Sequence, residues 1–261
     1  MWLLYGANGT TGHLVLSVWK EAFPDLPPPH LAGRNAAQIL ALGKRYACPT
    51  YAFSLEELPS LSLASEIRLI VNLAGPYERT ALPWINYCAR HTLPYMDICG
   101  EWRTFQQLYS RASEWEQRGL PLITAAGYDT IVGEAALYFF RQRYPHATSL
   151  SLGIYAKGGF SAGTVSSALT MLPHGYFAWE KGQLVPQPFR ELRLFVEGKA
   201  QAFFPATLAE LITFPAWNKD LVRIETWVGL PPKYLQWRGL LEKALVWKPI
   251  LAGFYQILKA Y

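Results

Sequence analysis

Charge is scarce in this sequence: only 16% of its 261 residues are Asp, Glu, Lys or Arg, against roughly a quarter in an ordinary soluble domain. With 51% apolar and 15% aromatic residues, disorder and low complexity are excluded, since both need few aromatics and many charges. Cysteine is rarer still. Cys48, Cys88 and Cys99 are odd in number, far apart and outside any CxxC or Cys/His ligand spacing, which argues against a disulfide framework and a metal site. Free thiols fit a reducing, cytoplasmic setting. No apolar run approaches the roughly 18 residues of a spanning helix, and Trp2–Tyr5 is too short for the core of a leader peptide. A broad positive surface is lacking too. The net charge is +5, and residues 231–261 supply +4 of it through Lys233, Arg238, Lys243, Lys248 and Lys259 against Glu242. The nearly neutral remainder carries no nucleic-acid footprint.

What is present is alternation. Trp2–Tyr5 reads as a short strand, Gly6–Gly12 as a glycine loop, and Thr11 to about Phe23 as a helix stopped by Pro24. His30–Ala32 reads as a second strand and Ile67–Ala74 as a strand apolar on both faces, the pattern of a parallel sheet. A helix at 82–91, a strand at 95–98, one helix over 102–118 and a strand at 120–125 continue the series. This predicts an α/β fold with a doubly wound parallel sheet over residues 1–130. Beyond about residue 145 the pattern becomes half-solvated: Ser149–Tyr155, Arg190–Val196 and Val222–Val228 alternate, and short helices are predicted at 164–172 and 207–214. A second, smaller α+β domain is therefore expected over 131–230, with 231–261 as an amphipathic helical segment.

The loop Gly6-Ala7-Asn8-Gly9-Thr10-Thr11-Gly12 leaves a strand and opens a helix, the context in which a glycine fingerprint signals a dinucleotide. Gly6 permits the tight turn, Gly9 lets backbone approach a pyrophosphate, and Gly12 lets helix and strand pack closely. Amides at the helix start then face the phosphates, with Asn8, Thr10 and Thr11 as further donors. The spacing is GxxGxxG rather than the commoner GxGxxG. After the second strand come Arg34 and Asn35 with no carboxylate. An acidic residue there suits a ribose hydroxyl, whereas an arginine suits a 2′-phosphate; the expected cofactor is NADP(H).

Four segments carry a family resemblance: YGANGTTG, LAGRN, VNLAGPYERTALPWINYCARHTLPYMDICGE and LPLITAAGYDTIVGEAALYFF. Together they resemble the saccharopine dehydrogenase-like oxidoreductases, especially the branch of the trans-acting enoyl reductases. SAGTVSSALTML at 161–172 resembles a helix start of that family's second domain. The resemblance implies a Rossmann domain binding NADP(H), and a second domain that caps the nicotinamide and supports a homodimer. It sets the loop Ala74-Gly75-Pro76 beside the cofactor. Tyr77, Cys99, Glu101, Tyr128 and Asp129 are then the ionisable candidates for proton transfer accompanying hydride transfer. Each also has a structural reading: Asp97 and Glu101 as helix caps, Tyr128 as core, Cys99 as a small apolar filler. The sequence departs from the family in length and in Tyr51-Ala52-Phe53-Ser54, where relatives carry an acidic residue after the third strand. The Tyr-x-x-x-Lys of short-chain dehydrogenases occurs only as Tyr255 and Lys259, which cannot reach a nicotinamide in that fold.

The expected activity is NADP(H)-dependent transfer of hydride to or from a C=C, C=O or C=N bond of a small or lipid-like substrate. Phe160, Tyr176, Phe177 and Trp179 suit an apolar one. The alternative is a non-catalytic NADP(H) sensor or assembly protein on a reduced scaffold. For the tail, apolar Trp237, Leu240, Leu241, Ile250, Leu251 and Phe254 among lysines fit either packing on a protein surface, the commoner outcome, or peripheral membrane contact.

Overall fold

The computed structural model describes residues 1–58, 63, 65–155 and 174–229. The helix expected at 164–172, Phe160, and the whole 231–261 segment lie outside the described residues. The chain forms two units, one of residues 1–99 and 106–127, the other of residues 100–105 and those from 128 onward.

In the first unit β1 (Trp2–Tyr5), β2 (His30–Gly33), β3 (Thr50–Ala52), β4 (Leu69–Asn72), β5 (Tyr95–Asp97) and β6 (Leu122–Ile123) form one sheet in the order β3-β2-β1-β4-β5-β6. All five pairings are parallel. Strand order therefore reverses between β1 and β4, and at such a switch point the carboxyl ends of the strands open a crevice. Alternation along β1 supplies both faces. Leu4 joins Leu16 of α1 (Thr10–Ala22) and Ile39 and Leu42 of α2 (Ala36–Tyr46) in one buried cluster. On the other face Tyr5 packs edge-on against Trp84 of α3 (Tyr77–His91), ring centroids 5.2 Å apart, and stacks on Phe53 at 5.6 Å. Helices on both faces make the sheet doubly wound, as the alternation of the sequence predicts.

The single helix expected over 102–118 is two, α4 (Trp102–Ser110) and α5 (Ala112–Gln117). Arg111 leaves helical geometry (φ −113°, ψ 11°), the Ser110 hydroxyl takes the Gln107 carbonyl at 2.8 Å, and the Arg111 guanidinium closes on Glu114 at 2.9 Å. Local hydroxyl-to-backbone bonding of this kind competes with the helical ladder. The buried strand expected at 67–74 is confined to β4, because the chain past Asn72 turns to meet the β1–α1 loop.

The second unit holds α6 (Tyr128–Arg143), β7 (Ser149–Tyr155), β8 (Tyr176–Glu180), β9 (Gln183–Gln187), β10 (Leu192–Val196), β11 (Lys199–Pro205), α7 (Glu210–Trp217) and β12 (Arg223–Gly229). β12 pairs in parallel with β7 and antiparallel with β8 and β11. Two hairpins, β8–β9 and β10–β11, turn through Lys181-Gly182 and Glu197-Gly198, all four residues at positive φ. This is the two-residue turn whose twist matches paired strands, and its second glycine carries no strain. Leu137, Leu150, Leu152, Leu211, Phe214 and Ile224 close the core of the unit between its helices and one sheet face. The stretch Gly100–Phe105 also belongs here: Trp102 meets Phe177 at 5.3 Å, and the Arg103 guanidinium meets the His174 ring at 2.8 Å. Among the described residues no helix is long and apolar enough to cross a membrane.

Candidate functional site

Gly6 ends β1 at φ +80°, a conformation a side chain would strain. A Cβ there would stand 2.8 Å from the amide nitrogen of Ala74, so the two loops at the switch point touch backbone to backbone. A Cβ on Gly12 would strike the Ala7 carbonyl, which lets α1 start hard against β1. Gly9 is the N-cap of α1 and no side chain caps the helix. The amides of Thr10, Thr11 and Gly12 therefore open outward from a first turn without a carboxylate, where the helix dipole favours an anion. The geometry is that of a diphosphate cradle, built from the positions the glycine spacing marks. Replacing Gly12 by valine is expected to drive α1 off β1 and abolish dinucleotide binding, with a stability loss of about 2–3 kcal/mol from overpacking. Calorimetric titration together with urea unfolding checks both.

The other glycine-loop residues divide in role. Asn8 gives its amide to the Gln38 side chain at 2.7 Å, and Asn35 caps α2 by accepting from the Gln38 amide at 3.1 Å. Asn8 thus ties the β1–α1 loop to the first turn of α2, whose start Asn35 caps. Arg34 is exposed directly after β2, with no carboxylate in ion-pair range among the described residues.

Beneath the loop Ala74-Gly75-Pro76, which contains a cis Gly75–Pro76 bond, lies a buried polar chain that sequence reasoning missed. Asn72 donates to the Thr80 hydroxyl at 3.1 Å and the Tyr95 phenol at 3.0 Å, and accepts from the Ala74 amide at 3.0 Å. Thr80 donates to the Ala74 carbonyl at 2.6 Å. Tyr95 donates to Asp97 at 2.8 Å, and Asp97 accepts from the amides of Cys99 and Ala125, each at 3.0 Å. Burial first, and Asp97 second, hold the Tyr95 phenol well above its ordinary pKa, so it stays a donor. Asp97 thus fastens the loops that follow β5 and β6 rather than capping a helix. No local periodicity marks such a network; polar residues ending consecutive buried strands are its only trace in sequence.

The proton-transfer candidates fall in both units. In the first, Tyr77 opens α3 and is buried beside Gly75, and Cys99 is fully buried. In the second, Glu101 is buried just ahead of α4, with the Thr104 hydroxyl donating to it at 3.4 Å. Tyr128 and Asp129 begin α6 and are exposed. That unit also holds a carboxyl that sequence reasoning passed over. Glu210, first residue of α7, is 1% exposed and neither of its oxygens has a hydrogen-bond partner. It faces Gly133 of α6, and burial, reinforced by Glu134 and Asp129, pushes its pKa up to about 8. Glu134, bonded to the Thr213 hydroxyl, is raised by burial as well.

No protein-family model matches the chain. A Mycobacterium tuberculosis protein whose name places it among the trans-acting enoyl reductases is 29% identical over 185 residues, covering 65% of this chain and 43% of that protein. An Arabidopsis thaliana protein named as a mitochondrial saccharopine dehydrogenase-like oxidoreductase is 28% identical over 155 residues, covering 52% and 34%. Among solved structures, the saccharopine dehydrogenase (L-Glu forming) of Saccharomyces cerevisiae superposes with a TM-score of 0.61 at 15% identity, over 87% of this chain and 54% of that one. The chain thus spans less than half the length of these curated relatives.

Proposed function

We propose that this chain, which belongs with the saccharopine dehydrogenase-like oxidoreductases, binds NADP(H) and serves hydride transfer at a C=C, C=O or C=N bond of a small or lipid-like substrate. The observation that carries the reading is the position of the uncapped first turn of α1, at the switch point of a sheet ordered β3-β2-β1-β4-β5-β6. The amides of Thr10, Thr11 and Gly12 take the diphosphate. Arg34 takes the 2′-phosphate, with a planar fork suited to its oxygens. The loop 74–76, held by Asn72 and Thr80, borders the nicotinamide. When bound, the cofactor supplies or accepts the hydride. A proton must accompany it, and the groups proposed to hold that proton are Tyr77, Cys99, Glu101, Tyr128 and Asp129. The thiols of Cys48, Cys88 and Cys99, none of them in a disulfide, support a reducing compartment such as the cytoplasm.

A second reading, an NADP(H) sensor without turnover, is favoured by the burial of Tyr77, Cys99 and Glu101. One series of measurements separates the two. Arg34→Ala is expected to weaken NADPH about 10- to 100-fold, the worth of a charge-assisted hydrogen bond, and to leave NADH nearly unchanged. Equal losses for both would remove Arg34 from the 2′-phosphate. NADPH oxidation across enoyl, keto and imine substrates then decides between enzyme and sensor.

A further inference from the structure

Between α1 and the last turn of α2 the first unit carries a groove of about 480 Å3, lined by Thr10, His13, Leu14, Ser17, Arg45 and Tyr46. That volume falls among small-molecule sites, roughly 300–1,000 Å3. One wall is a face of α1, where Thr10, His13 and Ser17 recur at helical spacing and Leu14, 61% exposed, adds apolar surface. The other wall is Tyr46, and two cations share its ring. Lys20 Nζ stands 5.6 Å and Arg45 Cζ 5.4 Å from the centroid. Neither has a carboxylate in ion-pair range among the described residues. Together α1 and α2 hold His13, Lys20, Lys44 and Arg45 against one acidic residue, Glu21, which accepts from the Ser17 hydroxyl at 3.1 Å. The helix dipoles favour cations in both last turns but offset only part of each full charge.

We propose that this groove binds an organic anion, its apolar or aromatic body lying along Leu14 and the Tyr46 ring and its carboxylate or phosphate facing Arg45. The guanidinium forks onto the head group, and Lys20 adds charge from beside the same ring. His13 and Thr10 supply further donors. Two like charges held about one ring repel each other, and an anion beside them relieves that repulsion. A polyanion or a lipid surface fits less well, because both demand a stripe of cations rather than one focus. Thr10 alone is common to the groove and the diphosphate cradle, which uses its amide. The groove therefore stands whether or not the cradle holds a dinucleotide.

Calorimetric titration of the full chain with phenyl phosphate and with octanoate is expected to show one saturable site, with or without excess NADPH. The tighter of the two reports the preferred head group. Inorganic phosphate and benzyl alcohol, each half of the chemistry, should bind about tenfold more weakly or worse. Arg45→Gln and Lys20→Gln, both at exposed positions, should each weaken the anion about tenfold, the worth of one charge-assisted bond, with the urea midpoint unchanged. Four results would each overturn the site: no saturable binding of either probe at millimolar concentration, a control that binds as tightly as the probes, displacement by NADPH, or binding that either variant leaves within about twofold.

Discussion

The second unit will lose stability as pH rises from about 4.5 to about 8, and Glu210→Leu will abolish most of that loss. Glu210 has an ordinary pKa of 4.5 when unfolded and about 8 when folded. Across that window the folded state holds a proton that the unfolded state has released, so ∂ΔG/∂pH is negative. The contribution is fully present below pH 4.5 and gone above pH 8. At about 1.4 kcal/mol per pH unit the loss reaches about 3–5 kcal/mol, and the raised Glu134 acts with the same sign. Leucine has similar bulk and no charge to desolvate, and replacing buried ionisable groups with apolar ones is often stabilising. Urea unfolding at pH 5, 6.5 and 8, with hydrogen exchange to locate the change in α6 and α7, measures it. A wild-type profile flat across those three values would refute the assignment.

Asp97→Ala is expected to cost the first unit about 3–5 kcal/mol. The carboxylate accepts from Tyr95, Cys99 and Ala125, and a methyl group leaves three buried donors without an acceptor, each worth roughly 1–3 kcal/mol. Asp97→Asn keeps one oxygen for the two amides and offers its NH2 to the phenol oxygen, so it should lose less than half as much. Because these bonds hold the loops at the carboxyl ends of β5 and β6, dinucleotide affinity should fall in the same rank order. An alanine variant within 1 kcal/mol of wild type would show that the loops are held by packing alone.

Much of this was legible in residue order because local physics dictates it. β1, the glycine loop and α1 follow from an apolar run, from spacing, and from helical periodicity halted at Pro24. The alternation of Ser149–Tyr155 gave β7 residue for residue. The two hairpins were missed, although Lys181-Gly182 and Glu197-Gly198 sit between alternating runs; glycine in second place was the available signal. α2 was missed too, though Asn35 is a strong N-cap. The Asn72–Asp97 chain and the Glu210 carboxyl could not have been found this way. Both arise where residues distant in sequence are buried together, and what makes them notable is partner or absence of partner, which no window of sequence contains.

The brief crossing of Gly100–Phe105 into the second unit has a practical outcome for anyone dissecting the molecule. A fragment ending at Gly127 would look like a self-sufficient nucleotide-binding piece, yet it would carry Trp102 and Arg103 stripped of Phe177 and His174. During synthesis the same stretch must wait, unpartnered, until some seventy further residues have left the ribosome. Excised halves should therefore be sticky, and the coding sequence has no single cut that frees either one intact.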